Sequence, residues 1–158
     1  MAESDANNIP NDEREFALQR IYTKDVSFEA PGAPDIFSGE WTPEIKMDLQ
    51  SNPRPIGDDI YEIVMVITLT CTVGDKTAYL CEVHQAGIFG IRGFDDEEMG
   101  HMLGAYCPNV LFPYAREVIS DLVSKGSFPA MLVAPVNFDA LYQQKLTEST
   151  ADKAPNAH

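Results

Sequence analysis

Residues 60–91 constrain the fold of this chain most. Ile60–Val73 is a long run of Ile, Val, Thr and Leu, Gly74-Asp75 follows it, and Thr77–Ile91 then alternates apolar with polar residues. β-branched side chains suit a pleated, half-buried surface. A Gly-Asp pair between two such runs predicts a β-hairpin. A hairpin of that length needs further strands or a packed helix to be stable, so the rest of the chain must build onto it. On the second strand, Tyr79, Cys81, Val83, Phe89 and Ile91 point one way, and Leu80, Glu82 and His84 point the other. The second set belongs to the outward face.

Two more strands precede the hairpin. Phe16–Glu29 alternates, with Phe16, Leu18, Tyr22, Val26 and Phe28 on one face, broken by Arg20 and Lys24. Gln19, Thr23, Asp25, Ser27 and Glu29 share the other face, with Ile21 among them. A weaker strand is expected around Glu44–Leu49, with Asn52–Pro55 and Gly57–Asp59 reading as turn.

Helices follow the strands. Asp95 is placed to cap a helix opened by Asp96-Glu97-Glu98, whose charges complement its positive end. Cys107-Pro108-Asn109 is expected to interrupt it. A second helical run reaches Lys125 and stops at Gly126. Pro113 fits only a first turn, which leaves the start of that run open. Its paired apolar positions (110/111, 114/115, 118/119, 122/123) form a wide stripe, suited either to a monomer core or to a sheet plus another subunit's helix. Phe128–Val136 is apolar and bounded by Pro129 and Pro135, and Asn137 caps a short helix bearing Phe138, Leu141, Tyr142 and Leu146. Strands first and helices after favour an α+β fold with an antiparallel sheet. Residues 1–14 and 147–158 are polar and expected to be disordered, leaving one domain over 15–146.

Charge excludes several partners. The net charge is -14 at pH 7 and the pI about 4.4. Phosphate neutralisation needs clustered Lys and Arg, so nucleic acid and anionic membrane surfaces are disfavoured, and a basic partner is favoured. The N-terminus is acidic and polar, unlike a signal peptide, and no apolar run reaches a membrane span. A cytoplasmic location is expected, with Cys71, Cys81 and Cys107 as free buried thiols.

Enzyme chemistry finds little support. The sequence has no Gly-x-Ser-x-Gly elbow and no phosphate-binding Gly-x-x-x-x-Gly-Lys loop. Gly87, Gly90 and Gly93 suit bulges or tight backbone contacts. Cys81, His84, His101 and Cys107 can be drawn as a zinc or thiol site, but strand alternation sends Cys81 and His84 to opposite faces. No cofactor or metal is expected. Asp58-Asp59 and Asp95-Asp96 read as turn and cap residues.

Two constellations suit binding. The first is acidic: Asp25 and Glu29 lie four apart on one strand, about 13 Å, and Glu82 stands beside Leu80 on another strand's outward face. If the faces coincide, carboxylates ring an apolar spot suited to a basic partner. The alternative is an ordinary solvated face. The second is apolar: Ile36, Phe37 and Trp41, the only Trp, lie in a Pro- and Gly-rich loop. With Phe128, Met131, Phe138, Leu141 and Tyr142 they can line a groove for unfolded peptide, or the loop can simply pack down as core.

Residues 18–146 also resemble the SecB family of bacterial protein-export chaperones. The matching runs are Ile21–Pro31, Leu80–Val83, Gly104–Asn109, Leu111–Glu117 and Ala134–Leu141. The resemblance implies a four-stranded antiparallel sheet packed on helices, assembled as a dimer of dimers. It implies an ATP-independent holdase that binds unfolded precursors and delivers them to the SecA motor. It places the contact with the zinc-binding tail of SecA on Asp25, Glu29, Leu80 and Glu82, and the client groove between the loop and the final helix. A SecB-like chaperone dedicated to one client, such as an antitoxin, is the nearer rival to general export.

Overall fold

The structure is a computed structural model and describes residues 13–152. Four strands form one antiparallel sheet: β1 (Glu15–Glu29), β2 (Pro43–Gly57), β3 (Ile60–Val73) and β4 (Lys76–Arg92), in the spatial order β1-β4-β3-β2. The central pair is the hairpin expected from sequence, turning at Gly74 with φ 62°. Helices α1 (Asp96–His101) and α2 (Cys107–Lys125) follow, joined by a π-helical turn at Met102–Tyr106, and α3 (Phe138–Asp152) closes the described chain. Asp95 caps α1 through the Glu98 amide at 2.8 Å, and Asn137 accepts the Ala140 amide at 3.0 Å at the start of α3.

One face of the sheet is covered. Ile63, Met65, Ile67, Leu69 and Cys71 of β3, with Tyr79, Cys81, Val83, Phe89 and Ile91 of β4, are buried against Leu111, Ala115, Ile119 and Val123 of α2. Gly87 makes this approach possible, because a Cβ there would lie 2.7 Å from the Phe89 ring and 2.9 Å from Leu111. The even-numbered residues from Glu62 to Thr70 of β3 and from Leu80 to Ile88 of β4 face the other way and form the open face.

Four expectations need correction. Strand β1 carries bulges at Leu18/Arg20 and Thr23/Asp25, and each extra residue reverses the alternation. Between them Ile21 and Thr23 turn to the covered face, while Tyr22 and Arg20 turn to the open one. The second bulge restores the pattern for Asp25, Ser27 and Glu29. Strand β2 runs through Pro53 and Pro55 to Gly57, where a turn was expected. It is an edge strand, so alternate N–H groups have no neighbour to bond and proline is tolerated. Cys107-Pro108-Asn109 does not break the helical path: the chain passes through the π turn straight into α2, with Pro113 inside the helix. Helix α3 continues past residue 147 as far as Asp152, where disorder was expected. Hydroxyls of Thr147 and Thr150 bond back to the carbonyls of Gln143 and Leu146, which satisfies these polar side chains within the helix. The remaining residues expected to be disordered, 1–12 and 153–158, lie outside the described residues.

Candidate functional site

Two surfaces lie on opposite sides of the sheet. On the covered side, the loop from β1 to β2 brings its apolar residues against the segment after α2. Phe128 is the hub: its ring lies 5.2 Å from Phe37, 5.8 Å from Trp41, 4.8 Å from Tyr79 and 6.4 Å from Phe28. Met131 joins through the Tyr79 hydroxyl, 3.6 Å from its sulfur, and the Met131 carbonyl accepts Ser120 Oγ at 3.2 Å. Ile36 packs on the same core. Phe128 is buried, but Phe37 is 49% exposed and Leu132 88%. The rim is therefore open and the base closed.

Part of the expected groove lies elsewhere. Phe138 packs edge-on to Phe112, and Tyr142 lies against His101 and in a slot between Gly100 and Gly104. A Cβ at Gly104 would come within 2.6 Å of the Tyr142 ring. His101 Nε2 also meets Asp139 Oδ1 at 2.6 Å. Leu141 is partly exposed at the start of α3. None of the ring pairs among the described residues links this α3 group to the Phe128 cluster. Ile45 and Met47 of β2 are two further exposed apolar side chains, outside the set expected from sequence. Register places them opposite Cys71 and Leu69, on the covered side, yet they remain exposed because α2 packs on β4 and β3. Their alternation with Glu44, Lys46 and Asp48 was the available signal.

The open face brings the four expected docking residues together. In antiparallel register Glu29 stands opposite Leu80, Ser27 opposite Glu82, and Asp25 opposite His84. Directly opposed residues share a face, so Asp25, Glu29, Leu80 and Glu82 share this one. A shallow hollow of about 200 Å³ lies between Glu29, Leu80, Glu82 and Thr68. Glu82 is fixed by Thr68 Oγ1 at 3.0 Å and by His84 Nε2 at 3.2 Å. The hydrogen bond from His84, then that from Thr68, lowers its pKa. Both bonds favour the ionised carboxylate.

A family model for SecB, preprotein translocase subunit SecB, matches residues 10–149. The chain belongs to the SecB family. SecB proteins are chaperones, and the four-stranded antiparallel sheet with helices is the fold the resemblance implied. Among solved structures, the chain is similar to a Mycobacterium tuberculosis SecB-like chaperone in complex with a ChAD peptide from the HigA1 antitoxin. The two share 17% identity over 77% of this chain and 90% of that one, with a TM-score of 0.59. A Streptococcus agalactiae protein of unknown function aligns over 77% of this chain and 98% of that one, at 12% identity and a TM-score of 0.40.

The residues of the rival zinc or thiol site do not assemble. Cys81 is buried on the covered side, His84 is bonded to Glu82 on the open side, and His101 is at the surface beside Asp139. Among the described residues no three potential metal ligands come together. Burial pushes the Cys81 thiol up to about 11 and the Cys107 thiol up to about 12, away from the thiolate form that nucleophilic chemistry uses.

Proposed function

We propose that the protein is an ATP-independent holdase that binds unfolded precursor chains and delivers them to the SecA motor. The observation that carries this reading is the Phe128 cluster, buried at its base and exposed at Phe37 and along the neighbouring Leu132. An apolar surface of this kind accepts many sequences and rejects folded proteins, which hide their apolar residues. Each aromatic or Leu side chain of the client that it buries contributes about 1.5–3 kcal/mol before ordering costs. Ile36, Phe37, Trp41, Phe128 and Met131 form the core of the client surface, with Ile45 and Met47 extending it along β2. Phe138, Leu141 and Tyr142 flank it by fixing α3.

The acidic hollow serves a separate step. Asp25, Glu29, Leu80 and Glu82 lie on the face opposite the Phe128 cluster, so a basic motor tail and a client do not compete for the same atoms. Assembly as a dimer of dimers would place several client surfaces on one particle and add avidity. The half-buried flank of α2, with Val110 and Val118 beside exposed Tyr114, supplies an apolar face for it.

A second reading keeps the chaperone and narrows the client to a single protein such as an antitoxin. The fold shared with a chaperone bound to an antitoxin peptide favours it. One experiment separates the readings. A secretory precursor is offered unfolded and folded, without nucleotide. Capture of the unfolded form alone supports the general holdase. Failure to bind either form excludes it and leaves the dedicated client.

A further inference from the structure

The open face carries a second patch, of opposite sign, at its far end. Register across the sheet aligns Arg20, Ile88, Glu62 and Arg54 in one row, and Ser27, Glu82, Thr68 and Asp48 in another. Thr68 lies six positions beyond Glu62 on β3, about 20 Å along the strand. Glu62 is only 6% exposed. Its Oε1 accepts Lys24 Nζ at 3.1 Å and Arg54 Nη2 at 3.3 Å, and its Oε2 accepts Lys24 Nζ at 3.0 Å and the Tyr22 hydroxyl.

One carboxylate therefore serves two cations, and the cluster holds an excess positive charge. Both cations retain unused donors. The Lys24 side chain is 45% exposed and that of Arg54 67%, and a guanidinium offers about five N–H groups, of which Glu62 takes one. Between the two rows, Val64 and Val66 floor a concavity of about 520 Å³ whose rim includes Lys24, Arg54 and His84. A chain of net charge -14 has placed three cations, Arg20, Lys24 and Arg54, at one end of a face whose other half is acidic.

We propose that this end of the sheet takes a carboxylate from the same partner segment whose basic group docks at Glu29, Leu80 and Glu82. The proposal rests on the docking reading above. The partner is an extended protein segment with a basic end, an apolar residue over Val64 and Val66, and an acidic residue about six positions from the basic one. Such a carboxylate makes charge-assisted hydrogen bonds to Lys24 and Arg54. At physiological salt, charges beyond about 8 Å are largely screened, so the local cations decide its fate and Glu82 at the other end does not. A polyanion fares differently: running along the face, it would meet Asp25, Asp48 and Glu82 directly. The segment is thus fixed in direction, as a dipole lying antiparallel to that of the sheet face.

The test uses two synthetic peptides and the intact protein. Both carry a basic cluster and an apolar centre and have an amidated C-terminus; one has Glu and the other Gln at the same position, about six residues from the basic cluster. Fluorescence anisotropy at physiological salt should show the Glu peptide binding about twofold to fivefold tighter. Arg54→Gln, which leaves Lys24 and Tyr22 on Glu62, should bring the ratio towards one, and Arg54→Glu should invert it. Neither should alter the affinity of the Gln peptide. Equal binding of the two peptides to the unaltered protein overturns the proposal, as does a preference that survives Arg54→Glu. Loss of all peptide binding, or binding of the Gln peptide indifferent to Glu82→Lys, overturns the docking reading beneath it.

Discussion

The hydroxyl of Tyr22 on β1 donates to Oε2 of Glu62 on β3, across the intervening strand β4 and between residues 40 apart in sequence. The bond exists because a bulge turns Tyr22 to the open face. It changes both partners. Burial first, then Glu62, raises the Tyr22 phenol to about 12. The Tyr22 hydrogen bond is the largest influence on Glu62 and lowers its pKa; burial opposes it, and Lys24 adds to it.

Tyr22→Phe should therefore destabilise the fold by about 1.5–3 kcal/mol at neutral pH. A carboxyl whose pKa is lower folded than unfolded adds stability above its ordinary value of 4.5. That contribution is lost as pH falls through the folded value. The gap between the variant and the unaltered protein should narrow in acid. Urea unfolding at neutral and at acidic pH measures it, and a gap that persists in acid would mean that Tyr22 acts by packing alone.

The aromatic cluster divides by burial. Phe128→Ala removes the hub and should cost about 3–5 kcal/mol of stability. Phe37→Ala and Trp41→Ala should leave the melting temperature nearly unchanged for Phe37 and modestly lower for Trp41, while weakening capture of an unfolded client about tenfold. Unchanged client affinity in both would make the loop a lid on the core.

Charge reversal at Asp25 or Glu82 should weaken SecA binding, most at low salt, and leave client binding intact. Titrations against SecA and against an unfolded client, run in parallel, report the two. Equal loss of both would mean that the open face is not a docking surface.

Helix α3 depends on a slot for Tyr142. Gly104→Ala sets a Cβ 2.6 Å from the body of the ring, whereas Gly100→Ala sets one 2.5 Å from its mobile hydroxyl end. Gly104→Ala should release α3 and cost about 1–3 kcal/mol, the more severe of the two. Hydrogen exchange in residues 138–150 should rise in that order.

The three thiols are buried, and burial raises the pKa of each. Alkylation at neutral pH should be slow in the native protein and complete in denaturant. Rapid native labelling at Cys81 would reopen the thiol chemistry.

Much of this was readable along the chain. The hairpin, the caps at Asp95 and Asn137 and the stop at Gly126 follow from local chemistry within a few residues, and the structure has each in place. Alternation paired Asp25 with Glu29 on one strand and Leu80 with Glu82 on another, but only the β1/β4 register makes the two faces one, and the two bulges that cancel each other in β1 were invisible. Tyr22 and Ile21, lying between the bulges, were assigned to the wrong sides for that reason. The apolar set was recognised by composition, which says nothing of distance, so the α3 residues were grouped with rings to which none of the ring pairs among the described residues joins them.

The sequence by itself determined the order of strands and helices, where the central hairpin turns, and which residues are apolar enough to make a core or a client surface. Those properties depend on each residue and its near neighbours. Tertiary structure decided where β1 bulges, that β2 continues through Pro53 and Pro55, that Pro113 lies inside a helix, and that Tyr22 and Lys24 meet Glu62 and Arg54. These depend on partner strands dozens of residues away: a proline is tolerated or forbidden according to whether its strand has a neighbour on that side, and a side chain's face is set by a register that exists only once the strands have paired.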